Sequence, residues 1–193
     1  ARINPDGDTK IIHVHRFPAE VDAHYDVAVG LHSDIGRSLD ALAGAVGPRP
    51  AGAVGQVRAL LAAELARGQR DDRFPLAPAR IVADTRAAMR REDIVLVDTG
   101  ALKMWMARLY PTYEPNTCLI SNGLSTMAWT VPGAIGAKIA RPGCRVLVAT
   151  GDGAFLMNSQ EIETALRLGV PFVILIWVDN AYGLISWKMD LEI

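Results

Sequence analysis

Residues 150–183 read TGDGAFLMNSQEIETALRLGVPFVILIWVDNAYG, and their order decides the fold. The residues just before, RVLVAT (145–150), are rich in β-branched side chains and end at Gly151, so they read as a strand. Asn158 and Glu161 have the spacing of a capping box at a helix start. Ile162, Ala165 and Leu166 form an apolar stripe, Gly169 can close the helix as a left-handed cap, and Pro171 prevents its continuation. PFVILIWV (171–178) is apolar at both alternating sets, the pattern of a central parallel strand covered on both faces. Asp152 therefore follows one strand and Asp179 follows the next. A right-handed crossover would bring both to one sheet edge. Two carboxylates there repel each other, and a hard divalent cation with phosphate oxygens relieves the repulsion. Gly151 and Gly153 carry no side chain, so the backbone can approach an anion and offer N–H groups. A Gly-Asp-Gly alone is a common turn; the specificity lies in the whole series.

Working outward, the same alternation continues upstream. PARIVADTRAAMRR (78–91) reads as a helix and DIVLVDTG (93–100) as a strand ending at Asp98. ALKMWMARLY (101–110) is a second helix, and TCLI (117–120) is a short strand followed by the loop SNGLS (121–125). TMAWTVPGAIGAKIA (126–140) is a small-residue helix with an internal Pro. Strands alternating with helices imply an α/β fold, a parallel sheet with helices on both faces, whose ligands bind beyond the carboxyl ends of the strands.

Nearer the start, KIIHVH (10–15) and VAVGL (27–31) read as strands. Ser33 or Asp34 can cap a helix with Ile35, Leu39, Leu42 and Val46 on its apolar face, as in the tail of a Rossmann-like α/β domain. GPRPAGAVG (47–55) marks a boundary. VGQVRALLAAELARG (54–68) is an amphipathic helix with Val57, Leu60, Leu61 and Leu65 on one face and Gly68 after it; QRDDRFPLAP (69–78) is linker-like. The expected organisation is a domain tail at 1–46, a linker with one helix at 47–77, and a ligand-binding domain at 78–193.

Half of the 193 residues are hydrophobic and the net charge is −1, which gives no electrostatic footprint for nucleic acid. The longest apolar run, Val170–Val178, is too short to span a bilayer, and no signal peptide is visible. Cys118 and Cys144 are too few for a disulfide scaffold and lack metal-site spacing, so a reducing, cytoplasmic setting is expected. His13 and His15 share a strand face without a third ligand nearby and read as structural. Trp105, Trp129, Trp177 and Trp187 are too scattered for a base-stacking platform. The chain opens without Met and closes on WKMDLEI, and a fragment of something longer is expected.

Gly151-Asp152-Gly153 running through helix and strand to Asp179-Asn180 resembles the thiamine diphosphate enzymes of the pyruvate decarboxylase and acetolactate synthase group. GDGAFLMNSQEIETALR, WVDNAYGLI and YEPNTCLISNGLSTMAWTVPGAIGAKIARPG look most like the acetolactate synthases. KIIHVHRFPAEVDAHYDVAVGLHSDIGRSLDAL is similar to the closing part of their central domain.

The resemblance implies that Asp152 and Asp179 bind Mg2+ through their side chains and Ala181 through its carbonyl. It implies that Gly153 and Ala154 give N–H groups to the diphosphate, and that Tyr182, Gly183 and Leu184 continue the covering loop. Thr99 and Gly100 fall at the other phosphate-side loop. Ala101-Leu102 depart from the Gln-His of many biosynthetic members and leave no side chain there to bond a phosphate. Met127 matches the residue wedged between the cofactor rings, and the Ser125 carbonyl the group that holds the aminopyrimidine. Leu184, Ile185 and Lys188 fall at the substrate pocket.

The implied reaction joins two pyruvates into 2-acetolactate with loss of CO2. The family's catalytic glutamate lies in a pyrimidine-binding domain, usually of a partner subunit, so this chain alone is expected to be inactive. A homodimer or homotetramer is implied, with no nucleic-acid or membrane partner, and FAD is left open. The alternatives are another 2-ketoacid decarboxylase or carboligase, or a non-catalytic module of the same fold.

Overall fold

The computed structural model describes residues 6–17, 26–48, 50 and 52–192. It divides into two compact units, Ala1–Gly52 and Ala53–Ile193.

In the first unit, β1 (Ile12–His15) pairs in parallel with β2 (Val29–His32), placing His15 opposite His32. Helix α1 (Ile35–Ala45) follows, and of the two cap candidates Asp34 fills the role, its carboxylate accepting from the Arg37 N–H at 3.0 Å. Ile35, Leu39 and Leu42 are exposed.

The second unit begins in α2 (Gly52–Gln69) and continues through α3 (Pro78–Ala88), β3 (Ile94–Val97), α4 (Ala101–Leu109), β4 (Cys118–Ile120), α5 (Thr130–Ala140), β5 (Val146–Gly151), α6 (Asp152–Met157), α7 (Glu161–Leu168), β6 (Val173–Trp177) and α8 (Gly183–Glu192). The four strands are parallel in the order β4-β3-β5-β6. β3 and β5 are central because every position of Ile94–Val97 is apolar and fully covered. Side chains alternate across the sheet. Val95, Val97, Leu147 and Ala149 pack with Val82, Leu102 and Met106 on one face. Ile94, Leu96, Val146 and Val148 pack with Val131 and Ala134 on the other. Each fully buried Val or Leu contributes roughly 1.5–3 kcal/mol, and the two faces together make a three-layer α/β sandwich.

Several expectations need correction. β6 is an edge strand among the described residues, pairing only with β5, with Val173 61% exposed. Its apolar run reports partial cover by layers, not a partner on each side. The expected capping box does not form. Asn158 instead ends α6, its side-chain N–H donates to the Ala128 carbonyl at 3.0 Å, and α7 starts at Glu161 without a side-chain cap. One expected helix is thus two. Gly169 does close α7 in the left-handed conformation, at φ 63°. Leu166 is exposed rather than on the apolar stripe.

On α2 only Leu61 and Leu65 pack against the core, while Val57 and Leu60 are exposed. Gly68 lies inside α2 rather than after it. A Cβ there would sit 2.7 Å from the Ala79 carbonyl oxygen, so this glycine permits close approach of α2 to α3 and does not cap. α5 begins at Thr130 rather than Thr126, because Ala128 turns left-handed at φ 66°. Pro132 then falls in the first turn, where no N–H is missed.

The amino edge of the sheet is held by an ionic staple. Asp93, fully buried, accepts from the Arg90 N–H at 2.7 Å, the Arg145 N–H at 3.0 Å and the Arg145 guanidinium Nε at 2.7 Å. Burial pushes this carboxyl up, but those hydrogen bonds outweigh it and hold it below the ordinary carboxylate range. Arg86 stacks between the rings of Tyr110 and Tyr113 on the same side.

Candidate functional site

The carboxyl ends of β3, β5 and β6 run into Asp98-Thr99-Gly100, Gly151-Asp152-Gly153 and Val178-Asp179-Asn180. A cavity of about 610 Å³ opens above them. Thr99 and Gly100 line it from the first loop, and Gly151, Asp152, Gly153 and Ala154 from the second. Asp179, Ala181, Tyr182, Gly183, Leu184 and Ile185 line it from the third, and Met127 reaches it from the loop before α5. Leu102, Trp105, Leu175 and Trp177 make its walls largely apolar. The structure therefore brings the sequence-predicted residues to one cavity, with two exceptions. Ser125 does not line it; this residue is left-handed at φ 51°, and its hydroxyl accepts from Lys103 Nζ at 3.2 Å. Lys188 lies further along α8 and pairs with Glu192.

The register explains why the two acid-bearing loops lie side by side at one cavity. Gly151 lies opposite Trp177, so the residues just beyond them are neighbours. The Asp152 carboxylate bridges the two strand ends, accepting from the Gly153 N–H at 2.7 Å and the Asn180 N–H at 3.0 Å. Asp179 folds over its own loop and accepts from the Ala181 N–H at 3.2 Å. Asn180 makes the turn with φ 55°.

Glycine is required at two points. Gly100 adopts φ 151° and ψ −172°, a region nearly restricted to glycine. At Gly153 a Cβ would lie 2.8 Å from the Tyr182 ring, which packs directly over this position.

Residues missed from sequence complete the site. Asp98 is fully buried and accepts from the Thr99 N–H at 2.8 Å, the Ala128 N–H at 2.9 Å, the Thr130 hydroxyl at 2.5 Å and the Thr150 hydroxyl at 3.1 Å. Lys103 Nζ donates to the Ser121 carbonyl at 3.1 Å as well as to Ser125. The available signal was a lone acid following a wholly apolar strand, with Thr150 just before the end of β5.

The donor set suits a hard cation with a phosphate ligand. Among the described residues no group of three or more His, Cys, Asp or Glu can hold a metal alone. Two carboxylates at adjacent strand ends need further oxygens from main chain, ligand and water, the habit of Mg2+. The Tyr182 ring covers Gly153, so an anion reaches this backbone once the ring swings aside, and the apolar walls suit a heterocycle. Trp177 Nε1, buried with no hydrogen-bond partner, belongs to a residue of the cavity wall. Neither Cys118 nor Cys144 lines the cavity, and burial pushes the Cys118 thiol up to about 11.

Comparison with known proteins agrees with this geometry. Residues 98–192 match the family described as thiamine pyrophosphate enzyme, C-terminal TPP binding domain. The chain is 32% identical over 192 residues to an acetolactate synthase of Bacillus subtilis, covering 96% of this chain and 33% of that protein. It is 33% identical over 187 residues to a catabolic acetolactate synthase of Raoultella terrigena, covering 93% and 33%. A probable acetolactate synthase large subunit of Methanocaldococcus jannaschii is 40% identical over 125 residues, covering 61% and 21%. The chain spans about a third of the length of the first two relatives.

Proposed function

Residues 98–192 make this chain a member of the thiamine pyrophosphate enzyme family, and from that premise we propose that it is the diphosphate-holding part of an acetolactate synthase. Such an enzyme joins two pyruvates into 2-acetolactate and releases CO2. The observation that carries the proposal is the pair Asp152 and Asp179 in one cavity with Met127. The names of the relatives support the choice of reaction within the family.

In this reading the Asp152 and Asp179 carboxylates and the Ala181 carbonyl hold Mg2+. Ala154 offers its N–H to the diphosphate, Gly153 joins it once its N–H leaves the Asp152 carboxylate, and Met127 supports the ring system. When bound, thiamine diphosphate supplies the electron sink that loss of CO2 from a 2-ketoacid requires. The chain's own contribution is to orient and to exclude water. Leu102, Trp105, Leu175 and Trp177 give the cavity apolar walls, so a ligand seated against them displaces water and strengthens the electrostatic contacts around it. Ala101 and Leu102 offer no side-chain donor, so phosphate contacts on that side fall to backbone and Thr99. The proton-moving glutamate comes from a pyrimidine-binding domain outside this chain, in a cytoplasmic homodimer or homotetramer. Among the described residues no helix is long and apolar enough to cross a membrane.

The test is product analysis of the full-length protein with pyruvate, thiamine diphosphate and Mg2+. 2-Acetolactate is the expected product. Acetaldehyde with no acetolactate would point to a simple decarboxylase and overturn the assignment. Absence of any thiamine diphosphate binding would favour the non-catalytic module.

A further inference from the structure

We infer that Asp98 is a positioning residue for the cofactor: one buried carboxylate sets the relative placement of three cavity walls. Its role rests on the cofactor-site reading above and deepens it. The four donors on Asp98 are not scattered through the core. Thr99 is the first residue of one phosphate-side loop. Ala128 directly follows Met127. Thr130 is the first residue of α5, which anchors the far end of that Met127 loop. Thr150 immediately precedes Gly151-Asp152. Oδ1 takes the two backbone N–H groups and Oδ2 takes the two hydroxyls. The Thr99 hydroxyl adds a bond to the Thr126 carbonyl at 3.3 Å, tightening the same junction.

Two comparisons within the molecule separate positioning from plain stabilisation. Asp93 is equally buried, but it sits at the amino edge of the sheet and is bonded by the Arg145 guanidinium, far from any site residue. Asp98 draws its four bonds from neutral groups, each on a segment that carries a cavity residue. The second comparison concerns Ala128. A left-handed φ of 66° is disfavoured for a residue with a Cβ, and the bond from its N–H to Asp98 offsets that cost. Asp98 on the Ala128 N–H, with the Asn158 amide on the Ala128 carbonyl, thereby holds the turn that carries Met127 to the cavity. A buried acceptor can do this because leaving its donors unsatisfied is costly.

The experiment uses the full-length protein and reads thiamine diphosphate binding, at fixed excess Mg2+, by quenching of the cavity tryptophans Trp105 and Trp177. Each variant is measured well below its own melting temperature. Asp98→Asn keeps the shape but not the four-acceptor character, and is expected to weaken binding by about tenfold or more. Asp93→Asn is expected to lower the melting temperature while leaving the dissociation constant unchanged. Thr130→Val should weaken binding and Thr130→Ser should restore it, because the hydroxyl matters rather than the methyl. These threonine variants carry the test if Asp98→Asn does not fold. Binding by Asp98→Asn, or by Thr130→Val in its place, within roughly threefold of wild type overturns the positioning role. The wild type and Asp179→Ala run alongside. Cation-dependent binding by wild type that Asp179→Ala loses, with Asp98→Asn unaffected, overturns Asp98 alone. No binding by wild type, or normal binding by Asp179→Ala, overturns the site reading and this role with it.

Discussion

At the scale of the residue, the site depends on what is absent as much as on what is present. Gly153 has a ring over it, and an added methyl would meet the Tyr182 Cε1 at 2.8 Å. Gly153→Ala should therefore displace that ring and crowd the anion position together. An isothermal titration of the full-length protein with thiamine diphosphate is expected to show affinity falling about tenfold, the result of misplacing one well-fitted contact. The melting temperature should change little, because Tyr182 is 58% exposed and can swing outward. Cys118 gives a second residue-scale prediction. With its thiol pushed up to about 11, labelling by iodoacetamide at pH 8 should run on the order of a hundredfold slower than for an ordinary cysteine. The acids at positions 152 and 179 were legible because each sits at a turning point next to glycine or Asn. Asp98 sits at the same kind of point, yet its meaning was hidden: its partners Ala128, Thr130 and Thr150 come from distant segments. Hydrogen bonds formed across such separations leave no local pattern.

Elements were more legible in kind than in extent. The β-branched runs at 94–97 and 146–150 identified both central strands, because burial on both faces demands apolar side chains at every position. The same logic found β6, which among the described residues pairs only with β5 and is half-covered. Asn158 fitted a capping pattern, but its amide found the Ala128 carbonyl instead, a tertiary partner outweighing a local one. Gly68 was read as a helix end because glycine usually follows helices; α2 runs through it, and the neighbouring α3 backbone explains the choice. Gly68→Ala tests this directly. Alanine is the better helix former by about 0.8–1 kcal/mol, so an exposed helical glycine would gain stability from the change. Here the new Cβ would lie 2.7 Å from the Ala79 carbonyl oxygen, which is backbone and cannot swing away. The two helices must part, and a net loss of about 1–3 kcal/mol is expected in urea unfolding. A gain in stability would show that α2 is free to shift.

On the scale of the whole molecule, the second unit divides its labour between the two edges of one sheet. The carboxyl edge carries the cavity and its two acids, Asp152 and Asp179. The amino edge carries Asp93 and Arg145, where charge is already paired and joins the approach to β3 with the start of β5. Acid should therefore unfasten the molecule at the edge remote from the site. Asp93 is held below the ordinary carboxylate value near 3.8 in the folded state. The folded protein therefore binds the proton more weakly than the unfolded chain. Stability from this pair is complete above the unfolded value, about pH 4. It is lost as the pH falls from there through the folded value. Asp93→Asn cannot titrate, so the variant should be less stable than wild type at pH 7 by about 1–3 kcal/mol. The gap should narrow below about pH 4 as the wild type loses its own contribution. Thermal melts of both proteins at pH 7, 5, 4 and 3 measure that gap. A constant difference across the series would mean that Asp93 keeps its ordinary proton affinity and that hydrogen-bond geometry alone, without charge, secures the amino edge.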